Sequence, residues 1–281
     1  MKKLSEFMSA LWQSILSLVK VALQSQWRVK LPRQSGEIVI LANGPSLSQT
    51  LADHSDFIKA RASLAVSFAA RTEQFFAIKP SFYVLTDPMF FTASHEPKFA
   101  HLWQILTTGI NWKMTLFLPS RFKKRVKDIP GLAGNKWLDV AFYNVTPVEG
   151  FKWLENALFK ANLGMPRPRN VLIPSIMLTL AMGFGTVYLA GADHSWTRTL
   201  SVDDQNRVVS IQPHFYKESE QEKRQGVAQH MRYPLHNMMW NFYVAFKSYF
   251  TIARYARHLG VNVYNVTPGS FIDAFPRKKL D

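Results

Sequence analysis

Two sets of residues in this sequence have the types and spacing to do chemistry. One is a turn, Asn43-Gly44-Pro45-Ser46, and the other is a group of late histidines, His194, His214, His230 and His236. A histidine titrates near neutrality, so it can take a proton from a hydroxyl as a new bond forms. The turn follows an apolar run and opens a helix. Gly44 lets backbone approach a neighbouring group closely. A helix N-terminus presents free N–H groups and a positive dipole end to a phosphate. Ser46 can cap that helix or touch a ligand, and Asn43 offers donors and an acceptor. The motif is neither a GxGxxG fingerprint nor a P-loop, because it lacks their glycine spacing and their lysine.

Metal chemistry has weaker support. Asp193, His194, His214 and His230 are potential ligands, but no pair has the spacing of a helix-borne HExxH site. No Asp-x-Asp is present, and Asp203-Asp204 sits in an apparent hairpin turn, where acids are ordinary residues. No metal and no cofactor is therefore expected. Cysteine is absent, which excludes a disulfide framework and a thiolate site. With 34 Lys+Arg against 19 Asp+Glu, the chain carries a formal charge of +15 and should attract something anionic. No nucleic-acid-binding motif accompanies that charge, so nucleic acid is not an expected partner.

The elements that must position these residues alternate. Apolar runs at Glu37–Ala42, Ser63–Phe68, Phe82–Thr86, Met114–Leu118, Leu138–Tyr143, Thr186–Ala190 and Val261–Asn265 read as strands. Pro174–Met182 reads as a helix, and Asn237–Leu259 as a long helix capped by Gly260. Such alternation predicts an α/β fold, a mostly parallel Rossmann-like sheet with helices on both faces. Ligands of such sheets bind beyond the carboxyl ends of the strands.

Two segments depart from this rhythm. Residues 197–236 hold a short hairpin around Asp203-Asp204-Gln205-Asn206 and a charged run, Lys217–Arg224, as expected of a lid. Residues 1–34 precede the catalytic domain of residues 35–281. Their apolar positions, among them Leu4, Phe7, Met8, Leu11, Ile15, Leu18 and Val19, follow helical spacing between basic ends, with Glu6 the one acid. Ser5, Ser9, Gln13, Ser14 and Lys20 interrupt the stripe, which favours a helix lying in the membrane interface over a spanning one. No small-residue cleavage site follows, so no secretory leader is expected.

Asn43-Gly44-Pro45-Ser46-Leu47 after a first strand resembles the opening of the bacterial sialyltransferases of the Campylobacter and Haemophilus lipooligosaccharide type. Ile176–Asp193 is similar to that family's helix, Gly-aromatic turn, Tyr-containing strand and terminal Gly-x-Asp. Tyr233-Pro234-Leu235-His236 is similar to its Tyr-x-x-His, and Tyr264–Ser270 to its last strand and Pro-x-Ser turn. The first block also occurs in a wider superfamily that includes archaeal pterin pyrophosphokinases and flagellin-modifying accessory proteins.

The resemblance implies a nucleotide-binding fold, a CMP-sialic acid donor and transfer without a metal. It implies that Asn43, Gly44, Pro45 and Ser46 hold the donor's phosphate and sugar. Ser67 and Asp87 stand where the family has donor-binding asparagines, and Ser175 matches a helix-start serine that contacts the donor. His236 would be the general base and Tyr233 a phosphate contact. The sequence departs from the family after Gly-x-Asp193, where His194, Ser195 and Trp196 replace a phosphate-contacting tyrosine. His194 and His230 thus compete with His236 for the base.

The expectation is a sialyltransferase-like glycosyltransferase on the cytoplasmic face of the inner membrane. It would be peripheral, able to oligomerise with itself, and would transfer a nonulosonate to a glycan or glycolipid acceptor. The alternatives are a pterin-type pyrophosphokinase using ATP and a non-enzymatic binder of anionic membrane surfaces.

Overall fold

The computed structural model describes residues 2–211, 213–216, 220, 222, 224, 228 and 231–280. Its core is one seven-stranded sheet. In chain order the first six strands are β1 (Glu37–Leu41), β2 (Ala62–Val66), β3 (Phe82–Val84), β4 (Met114–Pro119), β5 (Leu138–Tyr143) and β6 (Thr186–Ala190). A separate antiparallel hairpin, β7 (Ser201–Val202) with β8 (Val208–Val209), follows, and β9 (Asn262–Asn265) completes the main sheet. The spatial order is β5-β4-β3-β2-β1-β6-β9, and every pairing in it is parallel.

After Glu37, β1 is apolar at four consecutive positions, Ile38 to Leu41, because both faces of the sheet are covered. Ile38 and Ile40 pack toward two helices, α9 (Leu172–Met182) and α10 (Leu235–Leu259). Val39 and Leu41 face the opposite side with Tyr188. Farther along the sheet, Tyr83, Leu116 and Leu118 bury Phe90, Phe99 and Trp103 beneath them.

The strands and long helices lie where the apolar periodicity places them, with shifts of one or two residues at their ends. One shift matters. His236 was expected just before the long helix, but α10 already begins at Leu235. Pro234, with φ −60° and ψ 153°, is the residue at its N-cap, and its carbonyl accepts from Met238 N–H at 3.2 Å. Proline's fixed φ and missing N–H suit the entrance of a helix, so the helix starts directly behind it. The hairpin turn is as expected: Asp203 Oδ1 accepts from the N–H groups of Gln205 (3.1 Å) and Arg207 (2.8 Å).

The N-terminal helix α1 (Lys2–Gln24) leads into an extended stretch that is tied to the sheet by one asparagine. Buried Asn144, just past β5, donates through Nδ2 to the carbonyls of Gln26 and Asn162, each at 2.8 Å. Its Oδ1 accepts from Gln26 N–H (2.9 Å) and from the Ser120 hydroxyl (2.7 Å). All four of its hydrogen-bonding positions are thereby used, as a buried amide requires.

The chain runs outward from β1 to β5 and then returns to the other side of β1 at β6. The connections from β1 and β6 therefore diverge between these two strands, a point at which doubly wound sheets leave a crevice.

Candidate functional site

The two turns flanking that crevice lie against each other. Helix α2 (Leu47–Asp53) follows the β1 turn, and Gly191-Ala192-Asp193-His194 follows β6. Ser46 donates through its hydroxyl to Asp193 Oδ2 at 2.8 Å, and its N–H points at Oδ1 at 3.4 Å. The Gly44 N–H donates to the Gly191 carbonyl at 2.8 Å. A Cβ on Gly44 would overlap Asp193 Oδ2 and stand 2.7 Å from Asp193 Cγ. The glycine thus makes room for the carboxylate, and the N–H groups of Gly44 and Ser46 face protein oxygens. Asn43 donates through Nδ2 toward the Val66 carbonyl (3.4 Å), while its buried Oδ1 has no partner among the described residues. The segment after the hairpin meets this turn, where Phe215 N–H donates to the Asn43 carbonyl at 3.0 Å.

A second feature opens beside it, over the carboxyl ends of β2 to β5. It is a cavity of about 1050 Å³ whose walls include Ser67, Asp87, Arg121, Arg167, Arg169 and Asn170. Ser67 takes a left-handed backbone (φ 52°), with its carbonyl accepting from the Tyr83 hydroxyl. A non-glycine residue in that region is sterically costly and is held there by its surroundings. Asp87 accepts from Met89 N–H through Oδ1 at 2.8 Å.

The three arginines are not equivalent. Arg167 is paired with Glu149 at 2.7 Å, a carboxylate that Lys247 also approaches at 3.9 Å. Among the described residues Arg121 and Arg169 form no ion pair, although the Glu149 carboxylate also acts on Arg169 electrostatically. Partial burial, and then the neighbouring Arg167 charge, lower the Arg169 pKa from its ordinary value. Two guanidinium groups outside any ion pair among the described residues, beside a concave surface, make a site for an anion.

Asn170 joins the cavity to the crevice. Its Oδ1 accepts from the N–H groups of Leu172 (3.0 Å) and Ile173 (3.3 Å), which fixes the amide's orientation at the start of α9. That same oxygen accepts from the Tyr249 hydroxyl at 3.0 Å. Because the phenol proton is used there, the His194 Nε2, 2.7 Å from the Tyr249 oxygen, must be the donor to it. Nδ1 of His194 is then the unprotonated nitrogen. Burial pushes the His194 pKa down to about 3, so the ring is neutral over the physiological range. Asn170 Nδ2 is buried with no partner among the described residues. A buried donor left open at a cavity wall is suited to meet an acceptor atom of a ligand.

The residues expected from sequence therefore divide. Ser67 and Asp87 line the cavity, and Asn43, Gly44, Pro45, Ser46 and Asp193 form the neighbouring turn pair. His194 sits between them, packed on Trp196 (4.2 Å between centroids) and Tyr249. Ser175 is fully buried, and its hydroxyl donates to the Val171 carbonyl at 2.7 Å, so it presents no surface to the cavity. Tyr233 and His236 are exposed at the entrance of α10, outside the cavity walls. His230 lies outside the described residues, as does part of the segment expected to be a lid.

The arginines and Asn170 are not among the residues expected from sequence. Their signal was present in Arg167-Pro168-Arg169-Asn170, two cations around a proline immediately before a helix start. Among the described residues, no three acid or histidine side chains gather closely enough to hold a cation.

No protein-family profile matches this chain, and no curated protein matches it. Among solved structures it is similar to the MAf glycosyltransferase from Magnetospirillum magneticum AMB-1, at 14% identity and a TM-score of 0.50 over 97% of its own length. The chain spans 38% of that protein. The likeness is one of fold, a Rossmann-like α/β sheet shared with a glycosyltransferase.

Proposed function

We propose that this chain is a glycosyltransferase that draws its sugar from a nucleotide-activated donor. The observation that carries the reading is the cavity at the carboxyl ends of the parallel strands, where Arg121 and Arg169, outside any ion pair among the described residues, stand beside the open Asn170 amide. Sugar transfer from a nucleotide leaves a phosphate that gains negative charge in the transition state, and fixed cations and amide donors lower that barrier. The glycosyltransferase named among the solved structures shares the fold, which supports the same reaction class.

The finer reading is a sialyltransferase-like enzyme using a CMP-activated nonulosonate. Such a donor carries a phosphodiester and a carboxylate, two anions for the two arginines. Ser67 and Asp87 would hold its sugar and nucleoside hydroxyls. Tyr233 and His236 would reach the donor from the lid side, with the His236 imidazole taking the acceptor hydroxyl's proton. Asp193 holds Ser46 and so positions the β1 turn, and the open Asn43 Oδ1 offers an acceptor beside Ser67.

Titration calorimetry with CMP, CMP-sialic acid and ATP–magnesium tests this. The expected result is binding of the cytidine compounds, weakened about tenfold in Arg169→Ala, as loss of a charge-assisted hydrogen bond would give. Binding of ATP–magnesium without any binding of cytidine nucleotides would overturn the reading in favour of a pyrophosphokinase.

A further inference from the structure

α1 is docked the opposite way round from an ordinary amphipathic helix. Its buried side is made of Ser14, Ser17 and Val21, spaced to share one face. The Ser14 hydroxyl accepts from Phe151 N–H at 2.9 Å. The Ser17 hydroxyl donates to the Glu149 carbonyl (2.7 Å) and lies 2.9 Å from the Glu149 N–H, which donates to it. A Cβ on Gly150 would stand 2.7 Å from Ser14 N and 2.9 Å from its Cα, so the helix backbone is pressed directly onto this loop. The apolar stripe points away from the protein: Leu4, Met8, Trp12, Ile15, Val19 and Leu23 are all exposed, Leu23 to 79%. The stripe continues onto the body through Phe7 on Phe151 (5.5 Å) and Phe151 on Trp153 (6.4 Å), and Trp153 is itself exposed.

We infer that this outward stripe is a docking surface for an anionic lipid bilayer, and that it sets the cavity rim at the level of the lipid headgroups. Two observations select a bilayer over a second copy of the chain. Lys3 at the start of the helix, and Arg28 and Lys30 beyond its end, are exposed, with Glu6 the one acid in residues 1–33. Apposing two such stripes would crowd like charges, whereas an anionic surface is complementary. Exposed Trp12, and Trp27 just beyond the helix, are the aromatic type that settles at a membrane interface.

Residues Lys3–Gln24 are long and apolar enough to cross a membrane, but the serine face is hydrogen-bonded to the body at Ser14 and Ser17. A helix held so lies in the interface plane. Leu23 and Gln24, at its end, are also walls of the cavity. An acceptor glycan anchored in the same bilayer therefore enters the cavity from the headgroup layer, an extension that rests on the proposed transferase reading; the docking itself does not.

The test is sedimentation of the full chain with neutral phosphatidylcholine vesicles and with vesicles containing phosphatidylglycerol. It compares the wild type with a triple variant, Met8→Glu, Trp12→Glu and Ile15→Glu, which leaves the serine face intact. The wild type should pellet with anionic vesicles at least tenfold more than with neutral ones, less so at high salt. The variant should remain in the supernatant with unchanged Tm and unchanged CMP affinity. Failure of the wild type to bind anionic vesicles overturns the docking surface. So does a solution dimer that the triple variant dissociates, or bound protein that resists alkaline extraction as a spanning helix would. Loss of nucleotide binding with vesicle binding retained would instead fall on the transferase reading alone.

Discussion

The Tyr249 hydroxyl lies 2.7 Å from His194 Nε2, and through its own proton it bonds Asn170. A residue of the β6 turn is thus coupled through a buried phenol to the wall of the arginine cavity. Burial raises the Tyr249 pKa, so the phenol keeps its proton and remains a donor.

The linkage has a pH consequence. The folded-state pKa of His194 is about 3 against an ordinary value of 6.5, so between these limits the unfolded chain binds more protons. Stability is then complete above pH 6.5 and falls as pH is lowered, by about 2 kcal/mol at pH 5 from this group. Denaturant melts across pH 5 to 7.5 should show that slope. His194→Gln, which keeps a donor toward Tyr249, should flatten it; an unchanged slope would show that another group carries the acid sensitivity.

Gly44→Ala should destabilise the fold by roughly 1–3 kcal/mol, the range for forcing a methyl into filled space. The new methyl must displace the Asp193 carboxylate, which cannot move without losing the Ser46 hydroxyl. Differential scanning calorimetry reads the effect directly. Pro45→Ala, at an exposed position of the same turn, should change Tm far less.

Arg167 and Arg169 should separate in binding experiments. Arg167 is neutralised by Glu149, so Arg167→Ala should weaken nucleotide affinity by only a few-fold. Arg169→Ala and Arg121→Ala each remove a cation that forms no ion pair among the described residues, and each should cost about tenfold or more. Equal losses for all three would mean that the Glu149 pairing is broken on binding. Glu149→Gln would then raise affinity.

His236→Ala should leave Tm unchanged, because the side chain is exposed on the first turn of α10. If the imidazole accepts the acceptor's proton, the transfer rate falls by about 10²–10⁴-fold while donor affinity is kept. Single-turnover kinetics beside calorimetry distinguish this from a lost binding contact. A normal rate would remove His236 from the chemistry.

The sheet and its helices are legible in the local sequence. Runs such as Glu37–Leu41 and Thr186–Ala190 are apolar at every position after the first, and local periodicity with Gly and Pro punctuation bounds them within a residue or two. Those signals are local, so they survive without knowledge of the fold. The strand-end location of the turn at Asn43–Ser46 and of Ser67, Asp87 and Asp193 was legible for the same reason. The partners of these residues were not. Nothing near Ser46 announces Asp193, 147 positions away, or shows that Gly44 is needed to admit its carboxylate. The serines of α1 read as interruptions of an apolar stripe; only the packed loop at Glu149–Phe151 makes them the docking face. That Arg167 forms the ion pair with Glu149, while Arg169 two residues on forms none among the described residues, is likewise visible only in the fold. Strand order and the meeting of distant loops come from burying all segments at once, and it is this tertiary packing that decides which polar groups are satisfied and which stay open.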